Sequence, residues 1–263
     1  MTFLVFTVDV DRDAAWPQNG SAAAGTRHRN APSFDASRKG FFALLEVVNE
    51  LQIPTTFFFE AATALELEPV SLQGHEVACH GLDHEDFTGK HTDKPFTRVE
   101  RRTTLQNAKT LLENRFDVEL EGFRAPYLGW DLDLLMAIAE TGFSYDSSVV
   151  SGHLKNPPLD ELYLPEWKDV SGQKMSGYLW PLMEGKRTVL DYVDAVRKAV
   201  EQAEPYVVLA THSWHTHCSV ERGDLPAAEA QQNVRTVHTL LTQLKAIPGL
   251  RFAKAMDVAL QKV

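Results

Sequence analysis

The sequence predicts an α/β fold, a distorted (β/α)7-type barrel of parallel strands with outer helices. Three observations carry that prediction. Short apolar strand segments alternate with amphipathic helical ones along the chain. Reactive side chains follow several of the strands, at the carboxyl ends where such barrels keep their chemistry. The length, 263 residues, suits one barrel of seven or so strand–helix units, so residues 1–263 are expected to form a single domain.

Leu4–Val10 reads as the first strand. Residues 12–35 are rich in Gly, Ala, Asn, Pro and Ser and read as a long loop. Phe41, Leu44, Leu45, Val48 and Leu51 recur at helical spacing, and Pro54 ends that helix. Thr55–Phe59 follows as a buried strand and Val77–Cys79 as a short one. Val99–Phe116 is helical, with Leu105, Ala108, Leu111 and Leu112 on one face. Gly122–Arg124 is a strand end stopped by Pro126. Leu132–Thr141 is a helix closed by Gly142, and Ser144–Val149 a further strand. Residues 150–187, broken by several prolines, read as loops with short strands. Val189–Ala203 is a helix, Tyr206–Thr211 an apolar strand, Ala227–Ala246 a helix and Leu250–Ala253 a last strand.

Composition narrows the function. A formal net charge of −10 argues against nonspecific binding to nucleic acid or anionic membranes. No run of about 18 apolar residues suggests a membrane span. The first residues lack a basic segment and read as a strand rather than a secretory signal, so a cytoplasmic location is expected. The two cysteines, Cys79 and Cys218, suggest no disulfide framework. Assembly into a homo-oligomer stays open.

Asp9 and Asp11 end the first strand and project to the same side. Adjacent carboxylates repel unless a metal or a proton shares their charge; a solvated turn is the ordinary alternative. His80 and His84 follow another strand, four residues apart, with Gly81 letting the backbone turn between them. Two imidazoles so placed can converge on zinc, nickel, cobalt or iron, although ten histidines make the spacing common by chance. With Asp11 they make a His-His-Asp set, three ligands with an open position, as in catalytic zinc sites. Arg124 can fix a carboxylate, and the Pro126 turn can aim a backbone N–H at an oxyanion. His212, after the apolar strand, can serve as a general acid; His215 and His217 lie close by in sequence.

Together these segments resemble the polysaccharide deacetylase family, also called NodB-homology proteins or family 4 carbohydrate esterases. The resemblance rests on Gly74–His84, Thr56-Phe57-Phe58, Gly122–Tyr127, Tyr145–Ser148 and His212-Ser213-Trp214, in that family's order. It implies a catalytic barrel domain that hydrolyses an amide C–N bond, deacetylating an N-acetylated sugar or related small molecule. It implies one divalent metal, zinc foremost with Co, Ni, Mn or Fe as alternatives, on Asp11, His80 and His84. Asp9 would be the general base, Arg124 would orient it and His212 would be the general acid. The Tyr127 N–H would hold the oxyanion, with Pro126, Trp214 and Asp146 on the oxyanion and substrate side. Val10 between the two aspartates departs from the commonest first motif and resembles an Asp-x-Asp subgroup. The carboxylate partner of His212 is not legible, with Asp146 as one candidate. Related branches open cyclic imides or ureides such as allantoin, some without a metal, and a catalytically silent carbohydrate-binding barrel is the alternative of another class. Trp167, Tyr178 and Trp180 could wall a cleft, but ordinary packing is the favoured reading for most of them.

Overall fold

The computed structural model describes residues 1–12, 33–152, 154–169 and 172–261; residues 13–32 of the expected long loop lie outside the described residues. In chain order, β1 (Thr2–Val10) precedes α1 (Asp35–Glu50), β2 (Thr55–Phe59), α2 (Ala61–Leu65) and β3 (Glu76–Cys79). Then come α3 (Arg98–Phe116), β4 (Gly122–Phe123), α4 (Leu132–Glu140), β5 (Tyr145–Asp146) and β6 (Asp160–Glu161). A small hairpin, β7 (Glu166–Lys168) and β8 (Lys174–Ser176), leads to α5 (Trp180–Met183) and α6 (Val189–Glu201). The chain continues with β9 (Tyr206–His212), the hairpin β10 (Cys218–Ser219) and β11 (Gly223–Asp224), α7 (Ala227–Lys245), β12 (Leu250–Phe252) and α8 (Ala255–Ala259).

Parallel pairing runs β6-β5-β4-β3-β2-β1-β9, and β12 pairs with the first residues of β1. Because β9 covers one edge of β1 from Phe3 to Asp9, β12 must share the other edge with β2. The result is the distorted (β/α) barrel that the sequence predicts. Strand β5 is shorter than the segment Ser144–Val149 suggests, because Asp146 turns its carboxylate back onto Ser148 and ends the extended run.

Strand alternation sorts the side chains into two layers. Leu4, Phe6, Val8 and Val10 of β1, with Phe57, Phe59, Cys79, Phe123 and Leu209, face the helices. Val5, Phe58, Ala78, Tyr145, Val208 and Ala210 fill the barrel interior. The same parity puts Thr7, Asp9 and Asp11 inside, with His80, Arg124 and His212 on neighbouring strand ends. At the opposite end of the barrel, Glu76 accepts from Tyr145 Oη (2.6 Å), Thr56 Oγ1 (2.7 Å) and the Met256 N–H (2.9 Å). That buried carboxylate is therefore satisfied, at the end remote from the cleft described below.

The helices carry their own start signals. Thr97 and Glu100 form a capping box on α3, and Thr188 and Asp191 do so on α6. Asp131 caps α4 through the Leu134 N–H and also takes the buried Arg101 at 2.5 and 2.8 Å, tying α3 to α4.

Between β6 and β9 no ladder joins the strands among the described residues. The gap is filled by residues 164–169 and 172–179. The Gly177 N–H donates to Pro165 O (3.0 Å), the Ala210 N–H donates to Gly177 O (2.9 Å) and the Leu179 N–H donates to Ala210 O (2.7 Å). A Cβ on Gly177 would stand 2.3 Å from Val208 O, so only glycine allows this docking. The consequence is that Tyr178 is driven into the barrel mouth.

Candidate active site

The strand ends converge on a cleft of about 440 Å³ lined by Asp9, His80, His84, Tyr127, Tyr178, His212 and Trp214, among others. Its floor is an ion pair. Arg124, fully buried, donates from Nη1 to Asp9 Oδ1 (2.7 Å) and Thr7 Oγ1 (2.8 Å). Its Nε donates to Ser147 O (3.0 Å) and its Nη2 to Ser147 Oγ (3.0 Å), and its guanidinium lies 4.1 Å over the Phe58 ring. Every nitrogen of the fork has a partner, which is what a buried guanidinium requires. Tyr178 Oη donates to the other carboxylate oxygen, Asp9 Oδ2, at 2.5 Å. Burial alone would raise the Asp9 carboxyl. The Arg124 charge opposes burial, aided by His80, His212 and the Tyr178 hydroxyl, and holds it at about 2. Asp9 is thus a fixed, ionised carboxylate.

Asp11, His80 and His84 form the second cluster. One donor atom of each lies within 4.8 Å of the others, and all three residues are buried. His80 Nδ1 contacts Arg124 O at 2.9 Å, which makes Nδ1 the protonated nitrogen and leaves Nε2 as a lone-pair donor. Among the described residues, His80 Nε2 and both Asp11 carboxylate oxygens have no hydrogen-bond partner. Burial lowers both imidazoles to about 4, so they are neutral at pH 7 as metal ligands must be. Burial raises Asp11 to about 8, with Asp9 and Glu60 adding to it against the pull of His212. A buried carboxylate and an imidazole lone pair without hydrogen-bond partners, with His84 Nε2 at 3.3 Å from Asp11 Oδ2, fit a divalent cation. His84 sits at φ +53°, and Glu85 accepts the Leu82 (3.0 Å) and Asp83 (2.8 Å) N–H groups to hold that turn. Beyond Asp11, Arg12 bridges Glu60 and Asp83.

On the far wall His212 is only partly covered, and its Nδ1 is buried without a partner among the described residues. Its ring lies between Tyr178 (5.3 Å, 30°) and Trp214 (5.1 Å, 31°). Burial lowers its pKa, against the raising influence of Asp11 and Asp9. The Trp214 N–H faces the Asp11 carboxylate but makes no close hydrogen bond. Tyr127 has φ +59° after the buried Pro126 and packs its ring on His84 at 4.8 Å.

The structure therefore brings together Asp9, Asp11, His80, His84, Arg124, Pro126, Tyr127, His212 and Trp214. Asp146 stands apart from His212. Its oxygens accept from the Ser148 N–H and Oγ at 2.8 Å, and burial beside Glu161 raises both acids, so the pair holds a proton between them. Thr7 and Glu184 were not singled out by sequence, and Tyr178 was named only as a cleft-wall candidate, with ordinary packing favoured for most of that set. Thr7 could have been found by strand parity. Tyr178 lies in an irregular segment with no periodic signal. Glu184 accepts from the His215 ring at 3.0 Å, and nothing in the sequence links those two residues.

Comparisons with known proteins agree with this arrangement. The sequence pattern of the family described as Polysaccharide deacetylase matches residues 28–145. A peptidoglycan deacetylase-like protein of Gibberella zeae is 28% identical over 156 residues, which is 57% of this chain and 44% of that protein. The matched stretch thus spans less than half of that relative's length. A crystal structure described as a polysaccharide deacetylase from Mycobacterium smegmatis superposes with a TM-score of 0.65 at 20% identity, over 99% of this chain and 89% of that one. An allantoinase structure superposes at 0.64 and 15% identity, over 98% and 89%. At these identities the two structures speak for the fold. The family pattern, the curated relative, the shared barrel and the ordered motifs lead to one conclusion: residues 28–145 match the polysaccharide deacetylase pattern, on a barrel fold that the chain shares with solved structures described as polysaccharide deacetylase and allantoinase.

Proposed function

We propose that the protein is a hydrolase that cleaves an amide C–N bond, releasing acetate from an N-acetylated sugar or a related small amide. One observation carries the reading. An ionised, doubly held Asp9 stands beside a metal-ready Asp11–His80–His84 set, with His212 across the same cleft. Asp11, His80 and His84 would hold one divalent ion, zinc foremost. When bound, such an ion polarises an acyl oxygen and makes water more acidic.

Asp9 removes a proton from the attacking water as the water oxygen bonds to the carbonyl carbon. Arg124 and Tyr178 each donate to a different oxygen of Asp9, which fixes the carboxylate plane and leaves further lone pairs toward the cleft. The Tyr127 backbone N–H shares the oxyanion charge. His212, its ring held between two aromatics, delivers a proton to the departing nitrogen as the C–N bond breaks. Acetate and a free amine are the products.

Among the described residues the cleft lining contains no lysine or arginine, and Arg124 beneath it is spent on Asp9, Thr7 and Ser147. That favours a neutral substrate over a phosphorylated or nucleotide-linked one. It is also why a cyclic imide or ureide stays as the second reading, since a small neutral ring would suit this lining. In both readings the Asp9-Val10-Asp11 spacing resembles an Asp-x-Asp subgroup, and residues 1–263 would act as one catalytic domain. The deciding experiment measures zinc bound per chain after chelation, then products from N-acetylated sugars and from cyclic ureides. One equivalent, lost in His80→Ala, with acetate released, is the expected result. A ring-opened acid in place of acetate would move the protein to the second reading, and no zinc binding would remove the metal site.

A further inference from the structure

A histidine that must deliver a proton is commonly fixed by a carboxylate on its second nitrogen. His212 has no such partner among the described residues, since its Nδ1 is buried and unpaired. A carboxylate-held histidine does exist nearby, three residues on. His215 is buried, and its Nε2 meets Glu184 Oε1 at 3.0 Å. Glu184 is itself pinned by the Val220 N–H on Oε1 (2.8 Å) and Ser219 Oγ on Oε2 (2.9 Å). The His215 ring is stacked on Trp214 at 4.3 Å and 23°. Trp214 lies against His212, and His212 against Tyr178, whose hydroxyl ends on Asp9. Four rings thus link the Glu184 carboxylate to the Asp9 carboxylate, with the His215 ring also 6.0 Å from His212 itself.

We propose that His215, anchored by Glu184, is a positioning residue that orients His212 through the Trp214 ring, replacing the missing carboxylate on His212. The inference rests on the reading of His212 as the proton donor. The physical argument is one of packing. A ring clamped between two aromatic faces keeps its plane, and an edge hydrogen bond on the last ring stops the stack from sliding. Glu184 lies outside the cleft lining and reaches it through His215 and through the Val220 N–H.

The test uses the full chain with zinc added and compares His215→Ala, His215→Phe and Glu184→Gln. The first readout is the nitrogen-15 NMR signature of the His212 ring, which needs no substrate. His212 should keep one sharp tautomer in the parent and in His215→Phe, which retains the stacked ring, and should broaden in His215→Ala. The second readout contrasts leaving groups. His215→Ala should hydrolyse an N-acetylglucosamine trimer about tenfold more slowly, by the usual size of acid–base contributions, with KM unchanged. Its hydrolysis of 4-nitrophenyl acetate, whose phenolate leaves without a proton, should stay within about twofold of the parent, far inside that acid–base range. Unaltered His212 signals in His215→Ala, or equal broadening in the Ala and Phe variants, would overturn the proposal. A His212→Ala control separates the two ideas. If it still cleaves the trimer, the proton-donor reading fails whatever His215 does. If it is inactive while His215→Ala behaves as the parent, only the positioning role fails.

Discussion

Asp9 and Asp11 lie two residues apart on one face of one strand, yet the fold treats them oppositely. Asp9 has a donor on each oxygen and sits at about 2, whereas Asp11 has none and is pushed to about 8. Burial is complete for both, so desolvation is not what separates them. The difference lies in what each was given as a counter-charge. Asp9 received Arg124 from the protein itself. Among the described residues Asp11 faces two neutral imidazoles, with His84 Nε2 at 3.3 Å from its Oδ2, and no cation pairs with it. One site is finished on folding; on the proposed reading the other is finished by a bound ion.

The largest expected effect breaks the pair at Asp9. Asp9→Asn should lower turnover by about two or more powers of ten, the range of acid–base contributions, while still binding zinc. Near-parent rates in that variant would end its role as base. It should also cost stability, about 3 kcal/mol, because Arg124 is left buried against a neutral partner. Asp11→Asn in the chelated chain should do the reverse and leave stability unchanged or higher, since burial makes Asp11 take up a proton on folding at pH 7 and the amide needs none. Urea midpoints of the two chelated variants would settle the contrast, and equal destabilisation would contradict it.

Next in size is the ligand set. His84→Ala should weaken zinc binding by more than roughly tenfold, at least the loss seen when outer partners of a metal site are removed. Competition with a chromophoric chelator would measure it, and unchanged affinity would take His84 out of the site.

Smaller still is a pH effect. Asp11 is raised from 3.8 to about 8 in the folded chain, so the folded state holds a proton the unfolded chain has lost, and stability falls as pH rises between those values. His80 and His84 are lowered from 6.5 to about 4, so each adds stability as pH rises through that lower window. Of these three groups only Asp11 still acts above pH 6.5, and Glu161, raised to about 10, pulls the same way. Chelated protein should therefore lose about 2 kcal/mol from Asp11 alone between pH 6.5 and pH 8, read as the difference from Asp11→Asn. Zinc should remove that loss. A difference that is the same at both pH values would show that Asp11 ionises freely.

The smallest change is Tyr178→Phe, which removes one donor from Asp9 but keeps the ring against His212. It should cost about 1 kcal/mol of stability, the net worth of one hydrogen bond. Turnover should fall far less than in Asp9→Asn. A loss as great as that of Asp9→Asn would mean that Tyr178, not Arg124, sets the Asp9 geometry.

How far the sequence could be read depends on where each residue sits. Asp9, Asp11, His80, Arg124 and His212 follow strands whose apolar runs are plain, so period-two alternation already aims them inward. The same holds for the barrel, whose strands and helices differ in period. Residues 150–187 have neither period. Tyr178 reaches Asp9 because Gly177 fits beneath Val208 O, a contact 31 residues away in the chain that no local pattern encodes. Asp146 shows the opposite failure. As an acid after a strand it looks free to serve His212, yet Ser148 two residues on and Glu161 across the next strand already claim it. Local chemistry can be read from sequence, whereas competition for it is decided by packing.

The barrel wall between β6 and β9 is closed by a looping stretch rather than by a ladder, and this has a consequence for how the protein could diversify. Strands β1, β3 and β4, which carry Asp9, the three candidate ligands and Arg124, are paired on both edges and cannot be altered piecemeal, whereas β9, which ends on His212, is laddered on one edge only among the described residues. The stretch that supplies Tyr178 and Trp180 to the mouth is held by a few main-chain bonds around one glycine. It is a replaceable panel in an otherwise welded drum. Changes of length or sequence there would reshape what enters the mouth while the hydrolytic parts stay where they are.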